Sequence, residues 1–295
     1  MKNLIPIELP FECKECKYSR NLDDKIFKEY FSCEKNICPK CNSELNLWDF
    51  CKMQIEFPFF GWYFNLLGCV VNIKQITLKP NEIYDLELSD EIGEGELLFR
   101  NYTSRGKENV LLPIQFHGND PLKDYLNSNI KLIPHSFSDS PIETKVIVNY
   151  AYAPKEIVED LSTMLMLDAF KSFYNKNYRY MFISAQTSIE ILQYNFFEGL
   201  FHKHKLPKKK TTDFLETKAT FSTQLFTLLP LFANVMLLPP INQKMIEGLT
   251  ILRDIRNDLI HSGRTKEVKW TKENFIKSLL SAFLIFKYFK LFKIE

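Results

Sequence analysis

Leu252-Arg253-Asp254-Ile255-Arg256-Asn257-Asp258-Leu259-Ile260-His261-Ser262-Gly263-Arg264, residues 252–264, is the stretch on which the fold and chemistry of this chain turn. At about 100° per residue, Leu252, Ile255 and Leu259 fall on one side of a helix together with the preceding Met245 and Gly248. Arg253, Arg256, Asn257, His261 and Arg264 gather on another side. The segment therefore predicts one helix with a core stripe and a cationic, hydrogen-bonding stripe. Asn242 is placed to cap it and Gly263 to stop it. On an ideal helix Arg256 and His261 lie about 140° apart, at opposite edges of the polar stripe. A single copy is poorly shaped to grip one substrate with both, whereas a two-fold partner brings one copy's His261 beside the other's Arg256.

The sequence around this segment is helical. Pro154, with Glu156, Glu159 and Asp160 behind it, marks a helix start. Tyr178, Met181, Phe182, Ala185, Ile189, Leu192 and Phe196 recur at three- and four-residue steps and predict a long amphipathic helix. A basic segment, His202 to Lys210, separates it from a helix expected to start at Thr211 or Thr212. Lys272 to Lys293 forms the last helix, whose alternating lysines and phenylalanines suit either a membrane-surface helix or, preferably, a bundle helix with its aromatics turned inward. Residues 153–295 thus predict an all-α bundle of about five helices.

Residues 53–152 read differently. Short β-branched and aromatic runs (69–78, 83–88, 96–102, 109–116, 130–133 and 145–152) are separated by turn signals such as Lys79-Pro80-Asn81 and Gly93-Glu94-Gly95, which predicts a β-sandwich-like or barrel-like domain. Residues 1–52 hold closely spaced cysteines and little periodicity, so they form a small module needing a staple. Cys13-Lys-Glu-Cys16 and Cys38-Pro-Lys-Cys41 have the ligand number and spacing of a zinc ribbon. Four thiolates close the coordination shell, so Zn2+ there is structural; Cys33 lies near enough to compete for a position. The fold class expected is multidomain α+β: zinc ribbon, β-rich domain, helical bundle.

Composition narrows the function. Lys and Arg total 38 against 36 Asp and Glu, for a net charge of +2, so attraction to polyanions must be local. Lys208, Lys209 and Lys210 are one such patch; as part of an inter-helix loop they are equally explained by solvation. Seven cysteines with two Cys-x-x-Cys pairs, no signal-like N-terminus and no convincing membrane span point to a cytoplasmic protein. His117 and His135 have no partner spacing and read as structural or surface residues.

The polar stripe suits RNA. An imidazole titrating near neutrality takes a proton from a 2′-hydroxyl or gives one to a departing 5′-oxygen, and a guanidinium holds the phosphate as it gains charge. Arg256-Asn257-Asp258-Leu259-Ile260-His261, on a late bundle helix, resembles the signature of the HEPN superfamily: Arg, a polar residue, a short spacer and His. Asn177 to Glu190 is similar to that family's amphipathic helix bearing an acidic residue. The resemblance covers residues 155–295. It implies a metal-independent endoribonuclease with a dimer-interface cleft and catalytic positions Arg256, Asn257 and His261; Arg253 and Arg264 on the same polar face, and the basic Lys208 to Lys210, are the RNA contacts expected beside them. It further implies a homodimer or higher even oligomer, a role in antiviral defence or abortive infection, and a defence-system partner protein or phage trigger. Gly263 stands where adenylylated members carry a Tyr, so that mode of silencing is not implied. The alternative is a non-catalytic RNA- or protein-binding dimerisation module recruited through its zinc ribbon.

Overall fold

The structure is a computed structural model that describes residues 10–32, 36–57, 61–79, 83–105, 129–132, 144–262 and 269–293. Helix and sheet are mixed. In chain order the elements are β1 (Pro10–Glu12), β2 (Ser19–Asn21), α1 (Asp24–Phe31), α2 (Leu47–Glu56), α3 (Trp62–Leu66), β3 (Val70–Leu78), β4 (Tyr84–Glu87), α4 (Ser89–Ile92), β5 (Glu96–Arg105), β6 (Asn129–Leu132), β7 (Thr144–Ala153) and α5 (Lys155–Val158). There follow α6 (Leu161–Tyr174), α7 (Tyr178–Lys203), α8 (Lys208–Asp213) with a π-helical turn Phe214–Lys218, and α9, which runs Phe221–Thr223, a second π turn Gln224–Leu228, then Leu229–Val235. The last two are α10 (Gln243–Ser262) and α11 (Lys272–Leu291). No helix among the described residues is long and apolar enough to cross a membrane.

Contacts divide the chain into two compact units, one of described residues 61–160 and one of 10–57 with 161–293. The cysteine-rich segment thus belongs with the helical bundle. The reason lies in α1, whose buried Ile26, Phe27 and Phe31 face out of the ribbon and need a partner. Phe27 packs edge-on to Phe283, and Phe31 to Tyr288, both on α11. Lys287 of α11, 7% exposed, donates to Asp24 Oδ1 at 2.7 Å and lies 5.1 Å from the Phe27 ring centre. Asn242, just before α10, donates to the Tyr30 hydroxyl at 3.1 Å.

Helix α11 is the bundle's axis: nearly every residue from Phe275 to Phe289 is buried, its aromatics among those of α1, α6 and α7. It is the inward-packed bundle helix of the two expectations. Helix α10 crosses it at Gly248, where an added Cβ would lie 2.0 Å from Ser281 Oγ and 2.7 Å from the Lys277 carbonyl oxygen. Only glycine allows that approach. The helix after the basic segment starts earlier than expected, at Lys208, because Pro207 at its N-cap position presets the entry. The two π turns are stitched by side chains: Gln224 Nε2 donates to the Leu215 and Ala219 carbonyls, and Gln193 of α7 donates to Gln224 Oε1.

In the other unit, β7 lies between β3 and β5 in an antiparallel three-stranded sheet, and β4 pairs antiparallel with β6. Val146, Val148 and Tyr150 of β7 share a buried cluster with Ile76, Leu86 and Leu97. A register shift between Leu97 and Phe99 marks a bulge in β5. The expected run 109–116, like His117 and His135, lies outside the described residues.

Candidate functional site

Two hairpin-like knuckles build the cysteine cluster. After Cys13 the chain turns back so that Cys13 N donates to the Tyr18 carbonyl; after Cys38, Cys38 N donates likewise to Ser43. Each turn needs one left-handed residue four positions beyond the first cysteine, and these are Lys17 (φ 60°) and Asn42 (φ 59°). The four sulfur atoms of Cys13, Cys16, Cys38 and Cys41 all fall within 4.8 Å of one another. Cys13 and Cys41 are 3.6 Å apart, Cys16 and Cys38 3.5 Å. Zinc with sulfur at about 2.3 Å has sulfur edges of roughly 3.8 Å, so the cluster fits a tetrahedral metal ion. Cys33 lies outside the described residues.

The thiols are unequal. Hydrogen bonding to Ser43 Oγ and to the Cys16 backbone amide holds Cys13 down to about 6. Ser43, 3.0 Å from Cys41 Sγ, lowers Cys41 too. The Tyr18 amide favours the Cys16 thiolate, but burial and the neighbouring sulfurs outweigh it and push Cys16 up to about 12. A donor set of this kind releases protons when it takes a cation. Cys51 and Cys69 are buried thiols raised by burial alone, hence structural.

The second constellation sits on α10, with Met245, Gly248, Leu249, Leu252 and Ile255 buried beneath it and Leu259 half-buried. Asn242 Oδ1 accepts from Lys244 N at 2.8 Å, as its capping role requires. Arg256 is half-buried and turned towards α7. Its Nη1 donates to Asn257 Oδ1 at 3.2 Å, and its Nη2 is 3.9 Å from Glu190 Oε2. Glu190 Oε1 in turn accepts from Gln186 Nε2 at 2.8 Å. The row Gln186, Glu190, Arg256, Asn257 ties two helices, while Arg256 Nε is buried without a hydrogen-bond partner. His261 is exposed in the last turn and makes no hydrogen bond or ion pair among the described residues.

No family model, curated protein or solved structure matches the chain.

The other expected RNA contacts are scattered. Arg253 is occupied: Nε and Nη2 donate to Asp254 Oδ1 at 3.1 and 2.7 Å, and Nη1 to Ser222 Oγ at 3.1 Å. Burial would raise the Asp254 carboxyl, but hydrogen bonds from Arg253 and Lys269 outweigh it and hold it below the ordinary range. Lys208, Lys209 and Lys210 are exposed at the start of α8. Lys208 lines a cleft with Asn195, Glu198, His202 and Leu206, to which α10 contributes nothing. Arg264 lies outside the described residues. Spacing on one helix did not reveal Gln186 as a member of the Arg256 row. A polar residue four before Glu190 on an otherwise apolar stripe was the only available signal.

Proposed function

We propose that the chain is a HEPN-type, metal-independent endoribonuclease that acts as a homodimer in a cytoplasmic antiviral or abortive-infection system, with a zinc ribbon and a β-sandwich-like domain that sense or position another molecule. The observation that carries this reading is the arrangement on α10: Arg256 and Asn257 are hydrogen-bonded together and braced by Glu190, and His261 is left exposed at the helix end. A guanidinium held in place by a carboxylate keeps its remaining donor directions for a phosphate. An exposed imidazole at the helix end is open to a substrate arriving from solvent.

In the proposed reaction His261 of one subunit takes the proton of a 2′-hydroxyl and the 2′-oxygen attacks the adjacent phosphorus. Arg256 neutralises the charge gained by the phosphoryl oxygens, Asn257 orients it, and the P–O5′ bond breaks with a proton returned to the 5′-oxygen. The products are a 2′,3′-cyclic phosphate and a 5′-hydroxyl. Cys13, Cys16, Cys38 and Cys41 would hold Zn2+ with four thiolates, which would give the metal a structural role outside this chemistry.

The test is cleavage of single-stranded RNA without added divalent cation, read with end-group analysis. Arg256→Ala and His261→Ala should each lose at least about 100-fold. An equal mixture of the two variants should recover about one quarter of the parent rate, because half the dimers are mixed and each of those holds one intact composite site of two. Unimpaired single variants overturn the catalytic assignment, and an inactive mixture overturns the shared site. One observation favours the non-catalytic alternative: among the described residues His261 has no orienting hydrogen-bond partner of the kind catalytic imidazoles use. RNA bound but never cut by the parent would select it.

A further inference from the structure

The ribbon carries a groove that the nuclease reading does not use. It encloses about 380 Å³ between the first knuckle and α2. Its floor is apolar: Phe11 and Phe50, in edge contact at 4.9 Å between ring centres, with Leu45 and Met53. Met53, one turn from the buried Phe50, is 44% exposed. The rim is polar and mostly negative, with Glu12, Glu15, Glu44 and Asp49 all exposed. Of the two lysines there, Lys17 is turned onto Glu12 at 3.3 Å, which leaves Lys14 to oppose the remaining carboxylates.

We infer that this groove is a docking site for a short basic segment of a partner protein, one that seats a single large apolar side chain on the Phe11, Phe50 and Met53 floor and sets Lys or Arg against Glu15, Glu44 and Asp49. Three features point to that occupant. The carboxylates repel phosphate, so the ribbon face is turned away from RNA, unlike the basic stripes elsewhere in the chain. An apolar floor with a charged rim is the anatomy of a peptide anchor site, and flexible methionine adapts to the anchor. The volume, about 380 Å³, holds one or two side chains rather than a folded domain. The inference is independent of whether Arg256 and His261 cut RNA.

The experiment probes the full-length, zinc-loaded chain against an array of synthetic nonapeptides that vary the number of Lys or Arg residues around one central Leu, Phe or Met. Residues 202–210 of the chain itself are included, since His202 to Lys210 surrounds Leu206 with lysines. Binding that rises with basic residues, requires the apolar centre, weakens at least tenfold between low and high salt, and falls at least tenfold in Glu15→Lys/Glu44→Lys supports the site. Met53→Asp should remove the dependence on the central residue while zinc content and melting temperature stay those of the parent. Three outcomes overturn the inference: no peptide binds, acidic peptides bind as well as basic ones, or labelled oligouridine cross-links to Met53 as strongly as to α10. A preference for the 202–210 peptide, with self-association abolished by Glu15→Lys/Glu44→Lys, overturns the foreign partner and makes a second copy the occupant.

Discussion

Replacing Gly248 by alanine tests how α10 is held, and through it the placing of Arg256. The new methyl would stand 2.0 Å from Ser281 Oγ and 2.7 Å from the Lys277 carbonyl oxygen. A hydroxyl can rotate away, but the carbonyl is part of the α11 backbone. Reaching an ordinary contact of about 3.5 Å forces the two helices apart by roughly 0.8 Å. Overpacking of this kind costs about 1–3 kcal/mol, and the upper end applies because backbone must move. Alanine regains about 1 kcal/mol of helix propensity, so the net loss is about 2 kcal/mol. For a unit of this size that lowers Tm by roughly 4–8 °C. Urea denaturation followed by helical circular dichroism measures it. Ser281 Oγ is buried without a hydrogen-bond partner, so Ser281→Ala alone should be neutral or stabilising, and the double variant should recover only part of the loss. A Gly248→Ala chain as stable as the parent would refute the close crossing of α10 and α11.

Further outcomes follow from the same geometry. Removing the metal with a chelator, or one ligand with Cys38→Ser, should destabilise the ribbon and bundle together, on the order of several kcal/mol, because α1 and α11 share a core; an unchanged melting transition once the zinc has been released sinks that expectation. Lys17 pays for its left-handed turn, so Lys17→Gly should stabilise by about 1 kcal/mol, visible as a rise in the denaturation midpoint, whereas the same change at an extended residue of β2 should not. The Asp254 carboxyl is held low in the folded chain, so its contribution is present above the unfolded value near 3.9 and is lost as pH falls through the folded one. Asp254→Asn should therefore flatten the acid limb of stability below about pH 4, and an unchanged limb refutes the pairing of Asp254 with Arg253 and Lys269. Glu190→Gln should weaken RNA binding or cleavage through Arg256 without altering Tm by more than about 1 kcal/mol equivalent, compared by melting and by a binding titration.

What the sequence determined is what neighbours in the chain determine. Two cysteines separated by two residues meet in one turn, and the pairs Cys13/Cys16 and Cys38/Cys41 announced a four-sulfur cluster before any coordinates. Helical periodicity marked the buried face of α10, its Asn242 cap and the long α7, since 3.6-residue repetition is a property of the local segment. Runs rich in β-branched and aromatic residues, bounded by turn signals, marked β3, β5 and β7. The tertiary structure alone decided which of these surfaces meet. Phe27 and Phe31 of the cysteine-rich segment pack on α11, a pairing the sequence does not show, because an apolar side chain does not record which apolar neighbour it will meet. Gly248 looked like an unremarkable member of a stripe until Ser281 and Lys277 came against it. Arg253 and Arg256 look equivalent in sequence. In space Asp254 and Ser222 occupy the first, while Asn257 and Glu190 brace the second, a difference set in part by residues tens of positions away that no local pattern encodes.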